Sequence, residues 1–175
     1  MKQHNKMKFN DGYRIFFTSD THFGHTNIIK YCNRPFKSVE EMNQVLIDNW
    51  NSVVSDDDTV YFLGDFCLGP RENIVKYGKL LKGNKILIMG NHDFSKKELY
   101  AEAGFSQIYK KRVIVHFDGF NRTIEFSHKR RPNEETHYLN LYGHVHDKPE
   151  DDELHKCVCV ELHDYKPVLL EKFFK

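Results

Sequence analysis

Three short apolar segments stand between polar stretches in the first half of the chain. They are rich in aromatic and β-branched residues, which is typical of buried strands, and they read "YRIFFTS" (13–19), "TVYFLGD" (59–65) and "KILIMGNHD" (85–93). Each segment ends where polar residues begin. We therefore expect those polar residues to lie at the carboxyl ends of strands.

Segments with helical periodicity lie between and after these strands. In segment 37–54, Ser38 is followed three residues later by Glu41, an N-capping pattern, and the apolar residues then recur at helical spacing. Segments 71–83 and 95–104 also predict helices.

The second half of the chain predicts mainly strands, joined by short turns. The strands are "RVIVHFDG" (112–119), "RTIEFSH" (122–128), "YLNLYGHVHD" (138–147) and "KCVCVEL" (156–162). The pattern predicts an α/β (α+β) fold, with alternating strands and helices first and a β-rich part second. At 175 residues we expect one domain over residues 1–175.

Composition narrows the possible partners. Charged residues make up 29% and hydrophobic residues 39%, which suits a folded protein, and the formal net charge is only +1. Such a charge gives no general attraction to nucleic acid or to an anionic membrane, so any phosphate must be bound locally. The first residues lack the apolar core of a signal peptide, and no stretch approaches the ~20 apolar residues of a membrane span. We expect no membrane partner and a cytoplasmic location.

The cysteines do not indicate a disulfide framework or a structural zinc knot, because they are scattered and form no C-x-x-C pair. They are Cys32, Cys67, Cys157 and Cys159. We expect reduced and mostly buried thiols. The 11 histidines are more unusual and raise the possibility of a metal site.

Five polar clusters follow the predicted strands. In chain order they are Asp20-Thr-His22, Gly64-Asp65, Gly90-Asn91-His92-Asp93, His128 and Gly143-His144-Val-His146. In an extended segment the side chains of Asp-x-His and His-x-His lie on one side, so each pair can bind one ion. Oxygen and imidazole ligands without thiolate suit Mn, Fe, Zn, Ni or Co at hydrolytic sites. Capping and turn chemistry would explain any one cluster, but not five in order.

These motifs resemble those of the calcineurin-like metallophosphoesterases, whose signature runs D-x-H, G-D, G-N-H-(D/E), H and G-H-x-H. The matching segments are "SDTH", "LGDF", "GNHD", "FSH" and "YGHVH", which span Ser19 to His146. The segments "SDTHFGHTNIIKYCNRPF" and "DYKPVLLEKFF" are similar to small bacterial and phage phosphoesterases of this superfamily. The resemblance implies a sandwich of two β-sheets flanked by helices, with a two-metal site at the carboxyl ends of the strands.

The resemblance also implies a role for each motif residue. Two divalent transition-metal ions would be bound, with Mn favoured. The first ion would be held by Asp20, His22 and His146, the second by Asn91, His128 and His144, and Asp65 would bridge them. A metal-bridging water or hydroxide would attack phosphorus. His92 would protonate the leaving oxygen or stabilise charge on the phosphoryl group, and Asp93 would orient or polarise His92.

Two positions qualify this assignment. Many members continue the second motif as GDxxD, whereas Leu68 stands here where the second aspartate would be. That change removes no ligand. His128 is assigned only by its place between two motifs, and His116, also at the end of an apolar run, is its rival.

Three further residues are candidates for substrate contact. His25 lies just past the first motif, Arg34 lies in the "CNRPF" loop, and Arg130 lies in "KRR" directly after His128. Arginine suits bidentate contacts to phosphate. Ordinary turn or surface positions are the alternative for all three.

The sequence therefore predicts an enzyme, a metal-dependent phosphoesterase. A phosphodiester is favoured because so small a domain shows no cap that would enclose a monoester, and a nucleotide or a nucleic-acid end is a candidate substrate. A nuclease or phosphomonoesterase of the same superfamily, or a non-catalytic metal-binding scaffold, is the alternative. The sequence does not indicate the oligomeric state.

Overall fold

The protein is described by a computed structural model covering residues 14–93 and 96–174 and the backbone of Asn5–Met7. It has a mixed α/β fold. The strands are β1 (Asn5–Met7), β2 (Ile15–Thr18), β3 (Thr59–Phe62), β4 (Asn84–Ile88), β5 (Phe105–Tyr109), β6 (Arg112–Phe117), β7 (Arg122–Ser127), β8 (Leu139–Tyr142), β9 (His155–Cys157) and β10 (Val168–Leu169). The helices are α1 (Ile28–Tyr31), α2 (Val39–Val53), α3 (Glu72–Gly78) and α4 (Lys97–Glu102).

The first sheet has the strand order β10-β2-β3-β4-β5. Strands β2 to β5 are parallel, and β10 is antiparallel to β2. Because parallel strands bring their carboxyl ends to one edge, the residues that follow β2, β3 and β4 gather there. Three of the five polar clusters are among them.

The second sheet has the order β1-β6-β7-β8-β9. Only β6 and β7 are antiparallel, and the carboxyl ends of β7 and β8 coincide because Ser127 pairs with Tyr142. His128 and Gly143 follow directly. A bridge between Ser19 and Cys159 links the end of β2 to the end of the second sheet, so that all five clusters share one edge of the fold.

Alternation along β2 shows how the layers pack. Phe17 faces the second sheet, where its ring lies 5.0 Å from that of Phe126, whereas Phe16 joins the cluster beneath the helices with Trp50 and Phe62. Each of these rings is buried, and burying one contributes ~1.5–3 kcal/mol. Two apolar layers on either side of the first sheet therefore hold the motif-bearing edge in place.

The structure confirms the predicted two-sheet fold and corrects several elements. The strand predicted at 156–162 ends at Cys157 and continues as a 3₁₀ turn, and β5 was missed. The helix predicted at 71–83 ends at Gly78. The Ser38 hydroxyl accepts a hydrogen bond from the Glu41 N–H, as the N-capping pattern predicts.

Two predicted segments begin outside the described residues, at Tyr13 and Ser95. None of the described helices has the length and apolar content that a membrane span requires.

Candidate metal centre

The candidate ligands leave their strands through left-handed backbone turns. Five of them have positive φ angles: Asp20 (59°), His22 (51°), Asp65 (58°), His144 (76°) and His146 (53°). The expectation that Asp-x-His and His-x-His converge by strand alternation is therefore wrong, because the segments are not extended. Non-glycine residues adopt this region at a cost of ~1–3 kcal/mol each, and such conformations cluster at functional sites.

The first group of donors is formed by Asp20, His22 and His146. Their ligand atoms lie within 4.8 Å of one another. The Nε2 atom of His22 is 3.8 Å from Asp20 Oδ1, and that of His146 is 3.9 Å from the same oxygen. Those separations are too long for hydrogen bonds.

Unpartnered buried atoms support a metal at this place. Asp20 Oδ1 and both ring nitrogens of His22 are buried and make no hydrogen bond in the structure. Buried polar atoms are rarely left without a partner, since each costs ~1–3 kcal/mol. The donor set fits a divalent cation bound between Asp20 and His22.

The second group of donors is formed by Asp65, His128 and His144, whose ligand atoms also lie within 4.8 Å of one another. Asn91 joins them, because its Oδ1 lies 3.0 Å from His128 Nε2. The backbone N–H of His144 donates to Asp20 Oδ2 at 2.8 Å, which ties the second group to the first.

Asp65 lies between the two groups. The same oxygen, Oδ2, is 3.7 Å from His22 Nε2 and 3.4 Å from His128 Nε2. The other oxygen accepts a hydrogen bond from the backbone N–H of His92 at 2.8 Å. The carboxylate is thus oriented with one oxygen toward both groups, as a bridging ligand would be.

Two glycines allow this close packing. A Cβ atom on Gly90 would lie 2.6 Å from the backbone nitrogen of Asp65, and one on Gly64 would lie 2.5 Å from the backbone nitrogen of Gly90. Both separations are shorter than any side chain tolerates. The glycine before each motif residue is required by the approach of the two loops.

Burial and the charges of neighbouring side chains determine the protonation states of the candidate ligands. Burial lowers the pKa of His22 to about 3, which favours the neutral imidazole that binds metal. Burial opposes ionisation of Asp65, but the hydrogen bonds from His128 and the His92 N–H outweigh it and lower the pKa of Asp65 to about 2. Burial disfavours charge on His128, yet its contacts with Asp65 and Asp20 raise its pKa to about 9. A bound cation would displace the proton from His128.

Glu161, which the sequence analysis missed, lies behind His146. Its Oε1 is 2.8 Å from His146 Nδ1, so that the opposite ring nitrogen faces Asp20. A carboxylate on the far nitrogen orients a metal-binding histidine and strengthens it as a ligand. A lone acidic residue in the apolar run "KCVCVEL" was the available signal.

Arg34 is not positioned to contact a substrate, because its side chain is 0% exposed. Its guanidinium donates to Glu161 Oε1 at 2.6 Å and to the backbone oxygens of Asp20 at 2.7 Å and Thr21 at 2.9 Å. The expectation of a substrate contact is therefore wrong. Arg34 instead fixes the turn that carries Asp20 and compensates the charge of Glu161.

Asp93 also differs from its predicted role. Its Oδ2 accepts from the backbone N–H groups of Asp65 and Gly90, both at 2.8 Å. Its Oδ1 accepts from the Phe66 N–H at 3.0 Å and from the Tyr100 hydroxyl at 3.2 Å. None of these described bonds goes to the His92 ring. The described contacts of Asp93 join the G-D and G-N-H-D loops, and none of them would polarise the His92 ring.

His92 and His25 lie at the solvent side of the first group. His92 is exposed, with its ring centroid 5.6 Å from that of His22. His25 is half-buried, and its ring lies 5.4 Å from that of His22 and 6.1 Å from that of Tyr31. Both rings are close enough to border a substrate bound at the metal centre.

Two other predicted or rival residues are engaged elsewhere. Arg130 is bound to Asp152 at 2.6 Å and to the Glu150 backbone oxygen at 2.9 Å, so its guanidinium is not directed at the centre. His116 lies on β6 against Thr123 and Asp118, and it joins neither donor group. The structure places His128, and not its rival, beside Asp65.

The chain is similar to several known proteins. The Metallophos model, described as calcineurin-like phosphoesterase, matches residues 13–170. An uncharacterized protein of Methanocaldococcus jannaschii is 40% identical over 172 residues, covering 93% of this chain and 90% of that protein. A protein of unknown function from Aquifex aeolicus superimposes with a TM-score of 0.74 at 30% identity, covering 93% of this chain and 98% of that chain. An archaeal phosphodiesterase shares the fold, with a TM-score of 0.51, 20% identity, and coverage of 83% of this chain and 82% of that chain.

Proposed function

Because the chain belongs to the calcineurin-like phosphoesterase family, we propose that it is a dinuclear metal-dependent enzyme that hydrolyses a phosphodiester. One observation carries this proposal. Asp65 Oδ2 lies 3.7 Å from His22 Nε2 and 3.4 Å from His128 Nε2, so a single carboxylate oxygen lies between the two groups of candidate metal donors. That arrangement is expected of a two-metal site.

The two donor groups define the proposed ligands. The first ion would be held by Asp20, His22, His146 and Asp65, and the second by Asp65, Asn91, His128 and His144. The absence of thiolate from both sets suits Mn, with Fe, Zn, Ni or Co as alternatives. When bound, two such ions polarise a phosphoryl group and lower the pKa of water for in-line attack.

His92 is proposed to carry the proton for the leaving oxygen. Its ring is exposed beside His22, and its backbone N–H donates to Asp65 Oδ1, which fixes the loop that presents it. A positioned acid contributes ~10²–10⁴-fold to the rate. No described hydrogen bond from Asp93 reaches this ring, so Asp93 takes no part in the proposed proton transfer.

A phosphodiester is favoured because the centre lies at the surface. Asn91 and His92 are exposed and His25 is half-buried at the rim, which leaves room for substituents on both sides of a bound phosphate. His25 is proposed to contact one of these substituents.

The decisive experiment is hydrolysis of bis(4-nitrophenyl) phosphate in the presence of Mn²⁺, with metal content measured in the same preparations. We expect turnover by the unmodified protein. His92→Ala should retain both ions and lose ~10²-fold or more in kcat, and Asp65→Asn should lose metal. His137→Ala is the matched control, because His137 is exposed and precedes β8 at the edge opposite the centre.

Two outcomes would contradict the proposal. Bound ions without turnover under any of the five metals would indicate a metal-binding scaffold. Full activity of His92→Ala would refute the role of His92 as the acid but would not affect the assignment of the metal ligands.

A further inference from the structure

A cleft of about 540 Å³ opens beside the second group of donors. Asn91 and His128 belong both to the metal centre and to the wall of this cleft. The rest of the wall comes from Met89 and Gly90 after β4, from the start of β6 and the residue before it, from the end of β7, and from the loop after β7. We call it the basic cleft. A group bound there would lie next to a phosphate at the metal centre.

The wall of the basic cleft is rich in positive charge. Its basic residues are Lys111, Arg112, Lys129, Arg130 and Arg131, and none of the described lining residues is acidic. This local patch differs from the whole chain, whose formal net charge is only +1.

The three arginines are compensated by carboxylates outside the cleft. Arg112 is paired with buried Glu125 at 2.5 Å, and Arg130 is paired with Asp152 at 2.6 Å. Arg131 contacts Glu125 at 3.5 Å and is also paired with Glu135. These pairs orient the guanidinium groups but cancel most of their charge.

The two lysines are not compensated in this way. Lys111 and Lys129 are both exposed, and neither takes part in an ion pair among the described residues. Lys111 directly precedes Arg112, which pairs with Ser127 across β6 and β7, and Lys129 lies two residues after Ser127. The strand register therefore brings the two lysines to the same end of the hairpin, where His128 joins the metal centre.

We propose that the basic cleft binds a second phosphate group of the substrate, with Lys111 and Lys129 supplying the unmatched charge. The inference rests on the proposed function, since the first phosphate is the one at the metal centre. It identifies the substrate as a compound with at least two phosphate groups. An oligonucleotide and a dinucleoside polyphosphate share this chemistry.

Binding can be measured without hydrolysis. A fluorescent phosphorothioate oligothymidylate, which resists cleavage, is titrated with the Mn²⁺-loaded protein at several salt concentrations. We expect Lys111→Ala/Lys129→Ala to bind at least ~10-fold more weakly. The negative slope of log K against log salt should become shallower by about 0.7, because one fewer phosphate of the single strand is neutralised. Lys82→Ala is the control, since Lys82 is exposed before β4 at the opposite edge of the first sheet.

A competing dinucleoside polyphosphate distinguishes the two substrate sources. If the dinucleoside polyphosphate displaces the labelled oligothymidylate at a lower concentration than unlabelled oligothymidylate does, the cleft is assigned to a polyphosphate. If it does so only at a much higher concentration than unlabelled oligothymidylate, the cleft is assigned to an oligonucleotide. If neither ligand binds in a manner that depends on the two lysines, the inference is wrong.

The same variant separates this inference from the proposed function. It should hydrolyse bis(4-nitrophenyl) phosphate, which has one phosphate, with unchanged KM. Binding that depends on the two lysines, without any hydrolysis, would refute the proposed enzymatic activity but would still support phosphate binding in the basic cleft. Hydrolysis of the chromogenic diester, together with binding that does not depend on the two lysines, would refute phosphate binding in the basic cleft and leave the proposed enzymatic activity unaffected.

Discussion

Asp93 provides the sharpest test of the structural reasoning, because its described contacts assign it a role other than the one its motif implies. Its carboxylate accepts four hydrogen bonds, two on each oxygen. In Asp93→Asn, one oxygen is replaced by an NH₂ group, which donates and cannot accept. Two of the four donors therefore lose their acceptor.

The number of N–H groups that lose their acceptor shows which orientation of the asparagine side chain is less destabilising. With NH₂ at the Oδ2 position, the N–H groups of Asp65 and Gly90 would both be orphaned. With NH₂ at the Oδ1 position, only the Phe66 N–H is orphaned, because the Tyr100 hydroxyl can rotate and accept instead. One orphaned N–H costs ~1–3 kcal/mol, and weakening the two remaining bonds from charged to neutral adds ~1 kcal/mol. We expect the free energy of unfolding to fall by about 2–4 kcal/mol.

The measurement is urea denaturation of the metal-free protein, with hydrolysis by the Mn²⁺-loaded protein followed in parallel. Tyr100→Phe, which removes one of the four donors, should cost less than Asp93→Asn. Asp57→Asn, at an exposed aspartate, should change stability by no more than ~0.5 kcal/mol. If Asp93→Asn keeps its full stability and loses only kcat, Asp93 acts on His92 after all and the loop-joining role is refuted.

Three further predictions follow from single contacts. Glu161→Gln should weaken metal affinity ~10–100-fold by loosening His146, as isothermal titration with Mn²⁺ would show, and unchanged affinity would refute the support role. Gly90→Ala should cost ~1–3 kcal/mol and displace Asp65, the proposed bridging ligand, measured as lower stability and lower metal content. Burial opposes ionisation of Asp58, but its hydrogen bonds from Arg14 lower its pKa below the usual value. The folded state thus gains stability that is complete above pH ~4 and is lost as the pH falls further. Arg14→Met should flatten this part of the pH-stability profile, and an unchanged profile would contradict the assignment.

The apolar runs and the motif order were sufficient to predict the main elements and the fold. The continuous apolar run in "YRIFFTS" predicts a strand buried on both faces, and both faces of β2 are covered, one by the helices and one by the second sheet. β5 was missed because its central residues are exposed and carry no apolar run. The parallel pairing of β7, β8 and β9 has no local sequence signal, since it depends on connections that return over long distances.

The residue types at the candidate site were determined by the sequence itself, because oxygen and imidazole donors can be recognised one motif at a time. Their arrangement was decided only by the tertiary structure. Left-handed turns bring Asp20 and His22 together, and long-range contacts place Glu161 behind His146 and bury Arg34. The basic cleft likewise exists only where two strands meet. Local sequence specifies which atoms can donate, but the direction and surroundings of a side chain depend on residues far along the chain.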